Sequence, residues 1–317
     1  MRIVSWNMQG KAIRATLMRA ALEELSIDVL IAQEPPVLGN GYSLDVNLAD
    51  RQRRGEQIPE AALQAKWSCK HVDGSNSNSQ DRLFVAWRTT TILKEPGITL
   101  VSDDSDTLAS NKRQLVIVKL EDAKQTFTVG TCHAPYLVND REHTETYMSE
   151  MLKYLSTRVD LFMGDTNLTA DSGVGSGYAT LISSHTTNGA DSNPYDRIYA
   201  FSEQAKDDKV RVGRICPPDA KDNFKSPSRK DHRATRFIDL KPKQTEVWGK
   251  SDHFAIYIDT DPSVGNGVNA SINVGAFNTG SATVGEGKTV SDYYAEHEAL
   301  ITKKKIKKPQ VPEGEPH

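Results

Sequence analysis

Two histidines, several carboxylates and two asparagines in this chain stand in short motifs: Trp6-Asn7, Gln33-Glu34, His133, Gly164-Asp165-Thr166-Asn167 and Ser251-Asp252-His253. A hard divalent cation such as magnesium, with manganese able to substitute, takes a few carboxylate oxygens and keeps several waters. Glu34, helped by Asn7 and Asp252, is such an incomplete shell, with open positions for phosphate oxygens. An ion there would polarise a phosphoryl group and stabilise charge on a leaving oxygen, while a neutral imidazole near the phosphorus activates a water. His133 and His253 are the natural proton handlers, with Asp81 and Asp196 as candidate carboxylates to orient them. Which histidine gives and which takes the proton is not decided by residue type.

Taken singly, each motif has a plain structural use. Gly-Asp-x-Asn makes turns, Gln-Glu ends a solvated strand, and Ser-Asp-His caps a helix. Their weight comes from placement. The spacing predicts each motif at or just after the C-terminal end of a strand, where a layered fold can bring distant positions into one cleft. The strands expected are Met1 to Ser5, Val29 to Ala32, Leu83 to Trp87, Gln114 to Leu120, Phe127 to His133, Leu161 to Gly164, Arg197 to Phe201 and Phe254 to Asp259. Several are apolar on both faces, as in a sheet packed inside layers. Helical spacing of Ile13, Leu17, Ala20, Ala21 and Leu25 predicts one helix, and Met148, Leu152 and Leu155 a second over Arg141 to Arg158. Many strands with few helices predict a two-sheet sandwich covered by helices. From Pro35 to Gln80 the pattern dissolves into Gly, Pro, Asn and charge, which reads as a surface insertion.

The ordered set, with Tyr195-Asp196-Arg197-Ile198 between its last two members, resembles the deoxyribonuclease I-like endonuclease/exonuclease/phosphatase superfamily from Met1 to about Pro262. The resemblance implies an α/β fold, a four-layer α/β/β/α sandwich of two mixed β-sheets flanked by helices. It casts Asp196–His253 as general base and Asp81–His133 as general acid or transition-state stabiliser. Asp165 and Asn167 would position the attacking water and the phosphate, and Arg113 would clamp a phosphate. The Trp-Asn-x-Gln-Gly opening at Trp6 to Gly10 is also shared by genotoxins related to the cytolethal distending toxin B subunit, which adds a toxin role to the expectations. Thr166, where the family commonly has an aromatic residue, and Pro135 beside His133 depart from the pattern without removing chemistry.

The expected reaction is metal-dependent hydrolysis of DNA phosphodiester bonds with low sequence specificity. Alternatives are a phosphatase acting on phosphoinositides or other small phosphorylated molecules, and an inactive module that binds polyanions. For DNA speaks the stretch Lys206 to Lys243, whose twelve Lys and Arg against six Asp leave a local charge of +6. Tethered between two catalytic motifs, it is expected near the cleft, where Arg229, Lys230 and Arg233 could neutralise phosphates; a merely solvated loop is the plain alternative.

Over the 317 residues, 26% are charged and 37% hydrophobic, with a net charge of −3, the composition of an ordinary globular chain. Cys69, Cys132 and Cys216 lack zinc-site spacing and read as free thiols. No apolar stretch approaches the roughly 20 residues of a membrane-spanning helix, so no membrane insertion is expected. Without a signal-like start, the chain reads as cytosolic, or as a secreted or delivered effector if a leader has been removed. The catalytic domain is expected over 1–262. Over 263–317 the composition predicts a Gly/Asn/Ser-rich linker and a basic tail, in which the alternating Val268 to Ala276 could instead add a strand. The run Lys303 to Lys308 could serve as a nucleic-acid arm, a nuclear-localisation signal or a solvated end.

Overall fold

The computed structural model describes residues 1–11, 13–36, 43–45, 48–53, 55, 58, 60–63, 66–72, 82–101, 115–136, 141–169, 171–182, 194–205, 209–216, 237–239 and 247–261. Strongly apolar runs form the centre of two sheets. In the first, β1 (Arg2–Asn7) pairs in parallel with β2 (Val29–Gln33) and antiparallel with β13 (Ala255–Asp259). Outward from this trio lie β4 (Leu83–Arg88) and β3 (Trp67–Val72) on one side, and β11 (Arg211–Cys216) and β12 (Phe237–Asp239) on the other, in the order β12-β11-β13-β1-β2-β4-β3. The second sheet has the order β5-β6-β7-β8-β10-β9. Its strands are β5 (Gly97–Leu100), β6 (Leu115–Glu121), β7 (Thr126–Cys132), β8 (Leu161–Asp165), β9 (Ala179–Ile182) and β10 (Asp196–Ala200).

Side chains alternate across a strand, and here the alternation builds three cores. Ile3, Val29, Ile31, Val85 and Ile256 of the first sheet meet Val116, Val118, Val129, Leu161, Met163 and Ile198 of the second. The opposite parity of the first sheet, Val4, Trp6, Leu30, Ala32 and Phe84, packs on Met18, Ala21 and Leu22 of α1 (Ala15–Glu24). The outer face of the second sheet, including Cys132, Phe162 and Tyr199, packs on Tyr147, Met148, Met151, Leu152 and Leu155 of the helix Arg141–Leu155. The layers therefore run α/β/β/α, as expected.

Several expectations need correction. The stretch read as a surface insertion holds two short helices, α2 (Leu48–Arg53) and α3 (Glu60–Leu63), and strand β3. Strand β3 buries only Trp67 and Val72 fully, so it carried little alternation to read. The basic stretch likewise contains β11, an interior strand in which Arg214 is 2% exposed and therefore unavailable to a polyanion. Of the residues expected on the apolar stripe of the first helix, Ile13, Ala20, Ala21 and Leu25 are buried, together with Met18 and Leu22, whereas Leu17 faces solvent. The expected domain boundary, linker and tail fall on residues 262–317, outside the described residues.

Candidate active site

At one end of the space between the sheets the inward-facing stripe changes from apolar to polar. Along β1 it runs Ile3, Ser5, Asn7; along β2, Val29, Ile31, Gln33; along β8, Leu161, Met163, Asp165; and β7 continues from Val129 through Thr131 to His133. These strands end at this edge. Strand β10 runs antiparallel to β8, and β13 antiparallel to β1, so Asp196 and His253 reach the same edge from the beginnings of their strands. This corrects the expectation that every motif follows a strand's C-terminal end: strand direction alternates, and the shared feature is the edge.

Below the charged groups lies a polar layer. The Gln33 amide, buried between the sheets, donates to Ser5 Oγ at 2.9 Å and Thr131 Oγ1 at 3.2 Å. Above it, Asp165 and Asp196 are direct partners across β8 and β10, 1% and 0% exposed. Like charges directly opposite repel, and in a sealed site solvent does little to screen them. His253 stands against both carboxylates. Its Nδ1 lies 2.8 Å from Asp196 Oδ2 and 3.9 Å from Asp165 Oδ2, while Nε2 is 3.8 Å from Asp252 Oδ1. Burial by itself disfavours the imidazolium, but the charges of Asp196 and Asp165 outweigh it and push the His253 pKa up to about 10. The metal-free protein therefore holds a proton on His253 at neutral pH. Asp165 is shifted the opposite way: burial works against its ionisation, yet His253, His133, the Asn7 amide and the Asn167 N–H hold it below the ordinary carboxylate value.

His133 lies on the other side of Asp165, joined to it by a parallel backbone bridge. Its Nε2 is 3.6 Å from Asp165 Oδ2, and its Nδ1 is 3.4 Å from Glu34 Oε1. Asn7 Nδ2 donates to Asp165 Oδ2 at 2.9 Å, and Asn167 Nδ2 to the Ala134 carbonyl at 2.8 Å. Ser251 Oγ donates to the Asn7 carbonyl, tying the His253 segment to β1. The structure thus gathers Asn7, Glu34, His133, Asp165, Asn167, Asp196, Asp252 and His253 at one edge. Asp81, Arg113, Arg229, Lys230 and Arg233 lie outside the described residues.

Sequence reasoning missed Ser5, Thr131 and Tyr136, and took Tyr195 only as part of the Tyr195-Asp196-Arg197-Ile198 motif. The first two were legible in principle, as polar residues at inward parity near strand ends. The Tyr195 ring lies 6.2 Å from that of His253, and Tyr136 packs edge-on against Tyr195 at 6.2 Å.

A hard cation needs oxygen donors with room for water. Glu34 and Asp252 have side chains 18% and 56% exposed, so their carboxylates border solvent. Asn7 Oδ1 accepts only the Gln9 N–H among the described bonds and keeps a second lone pair for an ion. This donor set fits a divalent ion. The donor atoms of Asp165, Asp196 and His253 also lie within 4.8 Å of one another, but the imidazole–carboxylate hydrogen bond accounts for that closeness.

Solved structures similar to this chain include an endonuclease/exonuclease/phosphatase family protein from Leptotrichia buccalis, at 15% identity, covering 82% of this chain and 99% of that one with a TM-score of 0.49. The human Nocturnin catalytic domain with bound sulfate is 14% identical, with coverage of 82% and 94% and a TM-score of 0.45. D. rerio TDP2 in complex with a single-strand DNA product is 17% identical, with coverage of 82% and 99% and a TM-score of 0.43. No family model and no curated protein matches the chain. The chain resembles the deoxyribonuclease I-like superfamily in its ordered motifs and its layered fold.

Proposed function

We propose that this chain is a divalent-metal-dependent phosphodiesterase that cleaves DNA with little sequence preference. The observation that carries the reading is the buried Asp165–Asp196 pair with His253 against it and His133 beside Asp165. Hydrolysis forms a bond from water oxygen to phosphorus, breaks the bond to the sugar oxygen, and delivers a proton to that oxygen. Two imidazoles flanking one carboxylate provide a donor and an acceptor for this exchange.

His253, set against Asp196 and Asp165, is one of the two imidazoles placed to exchange a proton with water or the leaving oxygen. The resemblance casts Asp196–His253 as the base, and the hydrogen bond between Asp196 and His253 Nδ1 leaves Nε2 of that ring to give or take the proton. His133, between Glu34 and Asp165, is the second proton handler, which the resemblance casts as general acid or transition-state stabiliser. Asn167, anchored to Ala134, presents its amide beside the phosphate position. Magnesium or manganese, held by Glu34, Asn7 and Asp252, would neutralise phosphate charge and polarise the phosphorus. Arg113 as phosphate clamp and Arg229, Lys230 and Arg233 as contacts to the DNA backbone complete the proposal.

The test is incubation with supercoiled plasmid, with and without magnesium, beside an inositol-phosphate release assay. Nicking that a chelator abolishes and that magnesium or manganese restores is expected. Phosphate release without nicking would move the reading to a phosphatase, binding without either reaction to an inactive polyanion module, and robust nicking in excess chelator would remove the metal.

A further inference from the structure

Among the described residues, Tyr136 is one of the few large apolar side chains left exposed, at 53%. It lies three residues beyond His133, in a segment whose backbone is pinned from three directions. The Ala134 N–H donates to the Asp165 carbonyl at 2.8 Å, the Asn167 amide donates to the Ala134 carbonyl, and Thr144 Oγ1 donates to the Pro135 carbonyl at 2.8 Å. The ring therefore stands at the rim on a fixed base.

Its partner is fixed as well. The Tyr195 carbonyl accepts from both the Thr166 N–H and Thr166 Oγ1 at 2.7 Å, and Tyr195 directly precedes Asp196. The Tyr136 ring meets Tyr195 at 64°, and Tyr195 in turn lies at 31° to the His253 ring. An aromatic file thus leads from the His253 imidazole to an exposed ring, linked by chain to one catalytic histidine and by packing to the other. Held in place before any ligand arrives, such a ring loses little conformational freedom on stacking.

We propose that Tyr136, backed by Tyr195, is a stacking platform for an unpaired nucleobase next to the scissile phosphate. The inference rests on the phosphodiesterase reading and deepens it. Every base offers a π-face, so the platform selects nucleotides over base-free phosphate esters without reading sequence. A paired base has both faces covered by its neighbours, so the preferred ligand is a single-stranded or frayed segment.

The test compares wild-type protein with Tyr136→Ala and Tyr136→Trp on two single-stranded oligonucleotides, one with 2-aminopurine within a run of bases and one with abasic positions in its place. Base–aromatic stacking predicts a KM increase for Tyr136→Ala of about 5- to 150-fold on the base-bearing strand, with kcat little changed. On the abasic strand Tyr136→Ala should match wild type, and Tyr136→Trp should retain tight use of the base-bearing strand. Equilibrium quenching of 2-aminopurine fluorescence in chelator should fall with Tyr136→Ala, a readout independent of turnover. Wild-type cleavage with unchanged quenching, or equal losses on both strands, would overturn the platform while leaving the phosphodiesterase standing. Quenching that depends on Tyr136 without cleavage of any strand would do the reverse, and absence of both would overturn the two together.

Discussion

Replacing Asp196 by asparagine removes one of the two buried carboxylates that hold a proton on His253 while leaving the shape of the site almost unchanged. The gap between the ordinary value of 6.5 and about 10 corresponds to about 5 kcal/mol of differential stabilisation of the imidazolium. A neighbouring opposite charge typically accounts for about 1–3 pH units, so Asp196→Asn should bring His253 down to roughly 7–9. Wild-type His253 should therefore show no titration in an NMR pH series from 5 to 8, whereas the variant should titrate near the upper end of that range. Between 6.5 and about 10 the folded chain holds this proton and the unfolded chain does not, so the contribution to stability is full below 6.5 and is lost as pH rises towards 10. That loss should be smaller in Asp196→Asn. Single-turnover nicking should fall by about 10²–10⁴ in His253→Ala and in His133→Ala, the range for a positioned acid or base. Asp196→Asn should lose substantially too, and its loss should not add fully to that of His253→Ala, because the two act as a unit. His253→Ala removes the imidazole that lies against both Asp165 and Asp196, so it should also melt earlier at neutral pH and recover in mild acid as one aspartate takes up the proton. An unchanged His253 titration in Asp196→Asn, full additivity, or near-normal turnover by folded His253→Ala would refute the dyad.

Three further outcomes are expected. A Cβ added at Gly164 would lie 2.6 Å from the Cys132 carbonyl oxygen, a backbone atom, so Gly164→Ala should cost about 1–3 kcal/mol in urea unfolding and displace the adjacent Asp165; an unchanged midpoint would show that β7 yields freely. Charge reversal of Arg229, Lys230 and Arg233 to Glu should weaken duplex binding and flatten the plot of log affinity against log salt by about 0.9 for each lost phosphate contact, and an unchanged slope would mean the segment is only solvated. Glu34 has a φ of +47°, so Glu34→Gly should abolish metal-dependent nicking while leaving metal-free stability unchanged or raised by up to about 1 kcal/mol; a clear loss of stability would mean that the Glu34–His133 contact outweighs the strain.

What could be read from the sequence was what repeats or what is chemically unusual. Strands β1, β2, β4, β6, β7, β8, β10 and β13 carry enough apolar residues on both faces to stand out. Strand β5 has no fully buried residue, β9 buries only Leu181 and Ile182, and β11 is broken by Gly213 and the buried Arg214. Charge in such strands reads as solvated loop because periodicity carries no register. The same limit applied to the site. The ordered motifs were enough to select Asp165, Asp196 and His253, but only the pairing of β8 with β10 sets the two aspartates opposite each other, which raises the His253 pKa. Tyr136 carries no chemical signature, Tyr195 was legible only within its motif, and their relation exists only once the segments after His133 and before Asp196 meet.

The position of Glu34 shows how the fold places charge where strand geometry alone would not. Gln33 is the last residue of β2 and points between the sheets, as Val29 and Ile31 do. Continued as a strand, the chain would send the next side chain to the opposite face, towards α1, where Leu30 and Ala32 pack. Glu34 instead adopts a left-handed φ, which breaks the alternation and lets two consecutive side chains serve the inter-sheet space, with Glu34 reaching His133 of the other sheet. For a residue with a Cβ that conformation costs about 1–2 kcal/mol. The local backbone bonds help to hold it: the Glu34 N–H donates to the Arg82 carbonyl, and its own carbonyl accepts from Gly10. Asn167, two residues beyond Asp165, has a φ of +49°, a conformation asparagine tolerates better than glutamate does. At Glu34, where a polar side chain must leave the strand's parity to face the cleft, the strain is retained because relaxing it to a regular strand would bury the carboxylate against the α1 layer.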